Sequence, residues 1–206
     1  MDSIYLDNAA TTPVLPEVIE KMKEVLSSSF GNPSSIHSQG RTAKSFIENT
    51  RKSIANELGA LSNEIIFTSG GTEGDNMVLQ GAVRGLGVKT IITSKIEHHA
   101  VIHAVENLEK SDHINVHYVQ VSSDGSPDLG DLERLLQYDD SKKLVSLMHV
   151  NNELGTISDL EAIGSLCQKN NAFFHSDTVQ SIGHYRLNLK ELPIDFAVAA
   201  AHKFHG

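Results

Sequence analysis

The chain has no tryptophan, a single cysteine and few aromatic residues (5%), and it shows no block of basic residues. Each scarcity excludes something. Cys167 alone closes no intrachain disulfide and builds no thiolate zinc site without borrowed ligands. Seventeen Lys and Arg against 26 Asp and Glu leave a net charge of −9. With no basic stripe to collect phosphates, nucleic acid is not an expected partner. The start, Met-Asp-Ser-Ile-Tyr-Leu-Asp, has neither a basic nor an apolar leader region, and no stretch approaches the roughly 20 apolar residues of a membrane span. The expectation is a soluble, cytoplasmic protein. At 206 residues, 39% of them hydrophobic, the chain can bury one sizeable core. Eleven histidines are the unusual count.

The rhythm of the sequence changes once. Helical patterns occupy Glu17–Leu26 and Arg41–Leu58, the second with Ala43, Phe46, Ile47, Ile54, Ala55 and Leu58 on one face. From Glu64 onward, short apolar runs alternate with amphipathic stretches. The expected strands are Ile65–Thr68, Thr90–Thr93, Val116–Val121, Leu144–His149, Ala172–His175 and Phe196–Ala200. The expected helices between them are Thr72–Leu86, Ala100–Leu108, Asp128–Gln137 and Asp159–Lys169. This alternation predicts an α/β fold: a mainly parallel sheet covered by helices on both faces, in three layers. Ligands of such sheets lie at the carboxyl ends of the strands.

Five strand ends carry candidate chemistry. Ser69-Gly-Gly-Thr72-Glu73 opens a helix, so free amides and the Thr72 hydroxyl can hold a phosphate; the plainer alternative is a turn capped by Thr72. The third glycine of a dinucleotide fingerprint and the Gly-Lys-Ser/Thr ending of a P-loop are both missing. In Glu97-His98-His99, a flat imidazole at His98 can stack on an aromatic cofactor. His99 and His103, one helical turn apart, form a conceivable metal pair, but no third ligand is set by spacing and no metal is expected. The third strand end carries Asn151-Asn152. Asp177 ends an apolar strand, where a buried carboxylate suits a protonated ring nitrogen, and Gln180 can reach a neighbouring ring oxygen; solvated capping groups are the alternative. Lys203 follows the apolar run Phe196–Ala201 almost directly. It is either an exposed lysine at a frayed end or an amine able to form a Schiff base with an aldehyde cofactor. A phosphate cradle, an acid for a pyridine nitrogen, a stacking ring and such a lysine are the groups that pyridoxal phosphate requires.

Seven motifs occur in the order seen in cysteine desulfurases: Tyr5-Leu-Asp-Asn-Ala-Ala-Thr-Thr-Pro13, Gly31-Asn-Pro-Ser-Ser-Ile-His37, Phe67-Thr-Ser-Gly-Gly-Thr-Glu73, Glu97-His98, His149-Val-Asn-Asn-Glu-Leu-Gly155, His175-Ser-Asp-Thr-Val-Gln180 and His202-Lys203. The chain therefore resembles the cysteine desulfurase family of the class V aminotransferase superfamily along its whole length. The resemblance implies the large domain of a fold-type I pyridoxal-phosphate enzyme, usually a homodimer, that takes sulfur from L-cysteine, leaves L-alanine and serves an acceptor such as an iron–sulfur scaffold protein. Lys203 resembles the Schiff-base lysine, His98 the stacking and proton-handling residue, Asp177 the partner of the pyridine nitrogen and Gln180 that of the ring oxygen. Gly71, Thr72 and His202 would bind phosphate, and Asn152 would sit beside both cofactor and substrate carboxylate. Ala200 departs from the pattern, because the family generally has serine three residues before the lysine. The resemblance further implies an N-terminal segment over 1–15, an incomplete cofactor-binding domain over 16–206, and a persulfide-forming cysteine, a carboxylate-binding arginine and a C-terminal small domain beyond Gly206. The expectation is a chain without turnover on its own. Cys167, on the apolar side of a helical pattern with Leu160, Ile163 and Leu166, is expected to pack rather than react. Three readings stand beside this one: a selenocysteine lyase or other class V lyase or aminotransferase, a remnant or interaction module without cofactor, and a histidine-based metal hydrolase.

Overall fold

The computed structural model describes residues 4–206; Met1–Ser3, the head of the expected segment 1–15, lie outside the described residues. The chain forms two compact units, one built from the residues through Phe67 with 187–191 and 201–206, the other from 68–186 with 192–200.

The first unit is helical. Helix α1 (Pro16–Ser28) starts on a proline, whose missing amide hydrogen costs nothing in a first turn, with Glu17 placed favourably towards the helix dipole. Helix α2 (Ser38–Leu58) stops at Gly59, whose φ of 71° lies in the left-handed region open to glycine. A side chain there would also run into Asn188 Oδ1. The segment expected as a first strand, Ile65–Thr68, is not one. The Ile65 amide bonds back to Ser62 and its carbonyl is taken by the Arg51 guanidinium, so neither group enters a ladder. Ile66 and Phe67 are exposed, with Arg51 lying 4.8 Å over the Phe67 ring.

The second unit is a five-stranded parallel sheet, order β2-β1-β3-β4-β5, built from β1 (Thr90–Thr93), β2 (Asn115–Tyr118), β3 (Lys143–Ser146), β4 (Phe173–Asp177) and β5 (Phe196–Val198). Every residue of β1 and β3 is buried, as expected of central strands with helices on both faces. Ile91 and Leu144 pack with Leu79, Val83, Val101 and Leu108 of α3 (Gly71–Arg84) and α4 (His99–Asp112). Ile92 and Val145, next along each strand, point the other way and are equally buried. Helices α5 (Leu129–Leu136) and α6 (Leu160–Lys169) pack on each other, α5 against β1 and α6 against β4. At about 25 cal/mol per Å² of apolar surface buried, each enclosed Leu or Ile contributes about 1.5–3 kcal/mol. Chain order reverses between β1 and β3, since β1 leads outward to β2 and β3 leads to β4. A crevice at the carboxyl ends of β1 and β3 is where such sheets bind ligands. Among the described residues no helix is long and apolar enough to cross a membrane.

Candidate functional site

Gly71 opens α3 with its backbone close to the ends of β4 and β5. A Cβ there would meet Val179 Cγ2 at 2.9 Å and Ala200 Cβ at 3.8 Å, and one at Gly74 would meet Val198 Cγ1 at 2.8 Å. The two glycines thus let a helix N-terminus approach the sheet end, where its amides attract an anion. Thr72 stands in the first turn. The Glu73 carboxylate folds back onto the Ser69 amide, and that bond holds its pKa below the usual value.

His98 ends the loop after β1 and caps α4, its Nδ1 accepting the Ala100 amide hydrogen at 3.2 Å. A neutral ring in that bond carries its proton on Nε2. His99 and His103 stack with ring centroids 5.3 Å apart, and among the described residues no group of three or more ligating side chains forms a metal cluster.

After β3 the two asparagines divide. Asn151 is buried and structural: its Nδ2 donates to the Ile96 carbonyl at 2.8 Å, and its Oδ1 accepts the Glu153 and Leu154 amides, each at 2.9 Å. This ties the loop after β3 to the loop after β1 and leaves its neighbour Asn152 half-buried. Asp177, buried, closes β4, with Oδ1 accepting the Val179 amide at 2.9 Å, and Gln180 lies in the turn that follows. Gly71, Thr72, His98, Asn152, Asp177 and Gln180 therefore all belong to the carboxyl end of one sheet.

Lys203 and His202 belong to the other unit, where the last turn is fastened to the chain's beginning. Lys203 Nζ donates to the Ala10 carbonyl at 2.9 Å and to that of Ala9. The Thr12 amide donates to the His202 carbonyl at 2.9 Å, His202 Nδ1 lies 3.1 Å from Thr11 Oγ1, and the His205 amide donates to Thr12 Oγ1 at 2.8 Å. The lysine is partly buried and held rather than frayed.

Three buried side chains, Glu97, Asp75 and His175, carry no role in the sequence reading. Glu97 Oε1 accepts from Ser94 Oγ at 2.8 Å and from the Met148 amide at 3.2 Å. Burial, opposed by those two bonds and reinforced by the charges of Asp177 and Asp75, pushes Glu97 up to about 8. Asp75 Oδ1 stands 3.4 Å from His175 Nε2, an electrostatic contact rather than a hydrogen bond, and His175 Nδ1 is 2.9 Å from Ser146 Oγ. The legible signal is Asp75 itself, an acid on the face of α3 that carries Leu79 and Ala82. Cys167 is buried, its thiol pushed up to about 12 by desolvation and the nearby Asp195, which makes it a packing residue.

The sequence model described as "Aminotransferase class-V" matches residues 4–206. The chain is 46% identical over 205 residues to the cysteine desulfurase IscS of Dictyoglomus turgidum, covering 98% of this chain and 51% of that protein. It is 44% identical over 207 residues to the cysteine desulfurase IscS of Methanosarcina thermophila, covering 99% and 50%. Among solved structures, a NifS-like protein superimposes with a TM-score of 0.95 at 39% identity, covering all of this chain and 56% of the other. A structure titled "SspA in complex with cysteine" gives 0.93 at 33%, covering 99% and 58%. The chain spans about half the length of the curated relatives it matches.

Proposed function

The chain belongs to the class-V aminotransferase family, and from that premise we propose that it carries the cofactor-binding residues of a pyridoxal-phosphate-dependent cysteine desulfurase. The observation that carries the reading is the buried Asp177 carboxylate, which closes β4 at the same sheet end as the glycine-started helix α3 and His98. The donor set fits the cofactor. The Gly71 and Thr72 amides with the Thr72 hydroxyl would take the phosphate, a role in which the resemblance also gives His202 a part; a side chain at Gly71 would fill that cradle against Val179. Asp177 would take the pyridine nitrogen and Gln180 the ring oxygen, and the resemblance gives Lys203 as the amine.

When bound, the cofactor serves as an electron sink for the bonds at the substrate's α-carbon. The chain's own groups do the rest. Asp177, desolvated and fixed by the Val179 amide, favours a protonated partner. His98 would stack on the ring, and its cap bond at Nδ1 leaves the mobile proton of the neutral imidazole on Nε2, where it can act as a donor. Asn152 orients the substrate carboxylate. Asn151 ties the loop after β3 to the loop after β1 that carries His98.

The reading extends to L-cysteine as substrate, in keeping with relatives named cysteine desulfurase. It also extends to a homodimer, to a sulfur-acceptor protein such as an iron–sulfur scaffold and to a cytoplasmic location. Segment 1–15 is then an N-terminal segment near the active site, and 16–206 is part of the large domain. An absorbance titration with pyridoxal phosphate tests it: wild type should saturate with a shifted band, and Asp177→Ala should lose most of the affinity. A wild type that leaves the free-cofactor spectrum unchanged contradicts the reading.

A further inference from the structure

Three carboxylates are buried in the sheet unit, Asp75 on α3, Glu97 after β1 and Asp177 at the end of β4. Their charges act on one another, since both aspartates disfavour ionisation of Glu97. The buried imidazole of His175 faces Asp75, and His149, also buried, bonds through its amide to the Asp177 carbonyl. A third negative charge in this desolvated interior would add a large cost without a compensating cation. The geometry says which acid keeps its proton. Asp177 Oδ1 receives a backbone amide; Asp75 Oδ1 and Glu97 Oε2 are both buried without a hydrogen-bond partner among the described residues, but Asp75 Oδ1 has the His175 ring nitrogen 3.4 Å away, whereas no basic side chain forms an ion pair with Glu97 among those residues. An ionised oxygen in that position is the costliest of the alternatives.

We propose that Glu97 is a positioning residue for Asp177: a carboxylic acid that keeps its proton on Oε2, so that Asp177 stays ionised, and that through Oε1 anchors the loop that presents His98. The inference rests on the cofactor reading above for its consequence in binding. Coupling is reciprocal, so a cation brought to Asp177 favours release of the Glu97 proton to water. Cofactor affinity should therefore rise with pH across the Glu97 titration.

Infrared difference spectra of the chain without cofactor test the proton directly. Wild type should show a protonated carboxyl at about pH 7 that is missing in Glu97→Gln, titrates near 8, and moves to lower pH in Asp177→Asn. Asp75→Asn should move it the same way, which keeps the test decisive should Asp177→Asn fail to fold. A Glu97 that titrates with ordinary carboxylates, or is unmoved by both substitutions, overturns the proposal. A second arm measures pyridoxal phosphate affinity across the same pH range. A severalfold rise in wild type that is flat in Glu97→Gln supports the linkage, and a flat wild-type profile contradicts it. No binding at any pH contradicts the cofactor reading instead, while the infrared result still judges Glu97.

Discussion

Glu97 Oε1 accepts the amide hydrogen of Met148 at 3.2 Å, so a side chain beyond β1 is fastened to the backbone leaving β3. These strands flank the point where chain order reverses. Asn151 crosses the same gap in the opposite sense, through its bond to the Ile96 carbonyl. Two polar links thus tie the loop after β1 to the loop after β3, and one of them fixes Glu97, the residue before His98.

That arrangement has a pH signature. Burial lifts Glu97 from 4.5 to about 8, so the folded state binds a proton that the unfolded chain has released. The resulting stability is fully present below the unfolded value and is lost as pH rises through the folded one. Unfolding free energy should fall by up to about 1.4 kcal/mol per pH unit between about 5 and 8. Glu97→Gln, which resembles the neutral acid, should remove that contribution to the slope. Urea unfolding of both proteins across the range measures it.

Close packing at the start of α3 gives a second prediction. Gly74→Ala places a methyl 2.8 Å from Val198 Cγ1, and overpacking of this kind costs about 1–3 kcal/mol. Val198→Ala should recover part of the loss when combined with it, a coupling that a double-mutant cycle of thermal unfolding would reveal.

Much of the fold was legible in advance. Central parallel strands read as short apolar runs, and Thr90–Thr93, Lys143–Ser146 and Phe173–Asp177 lie within or beside the expected ones. Ile65–Thr68 has the same composition but no ladder, because its polar groups are taken by Ser62 and Arg51. Composition reports a residue's fitness for a strand and not the presence of a neighbour. The site divides similarly. His98 and Asp177 stand out by type and place and Asp75 as an acid on the apolar face of α3, whereas the importance of Glu97 lies in burial, which only the packed sheet reveals. The tether of Lys203 to Ala9 and Ala10 joins residues almost 200 positions apart and leaves no local mark.

Ala200 offers a gain-of-function prediction. Its methyl lies 3.8 Å from the place a Gly71 Cβ would occupy, beside the first turn of α3. A serine hydroxyl there adds a charge-assisted donor, worth about 1.5–3 kcal/mol. Ala200→Ser should tighten pyridoxal phosphate binding by about tenfold or more in an equilibrium titration.

The Cys167 thiol, buried and pushed up to about 12, should be silent in the native protein. Ellman's reagent at about pH 8 is expected to find no fast-reacting thiol until denaturant is added, and Cys167→Ala should leave cofactor binding unchanged. Rapid native labelling would contradict this assignment.

Lys203 is the amine on which the cofactor reading turns. Incubation with pyridoxal phosphate, borohydride reduction and peptide mass mapping test it most directly. The account predicts one reduced adduct, located on Lys203 and absent from Lys203→Ala. An adduct of equal yield in the Lys203→Ala protein, or one spread over the surface lysines, would contradict it.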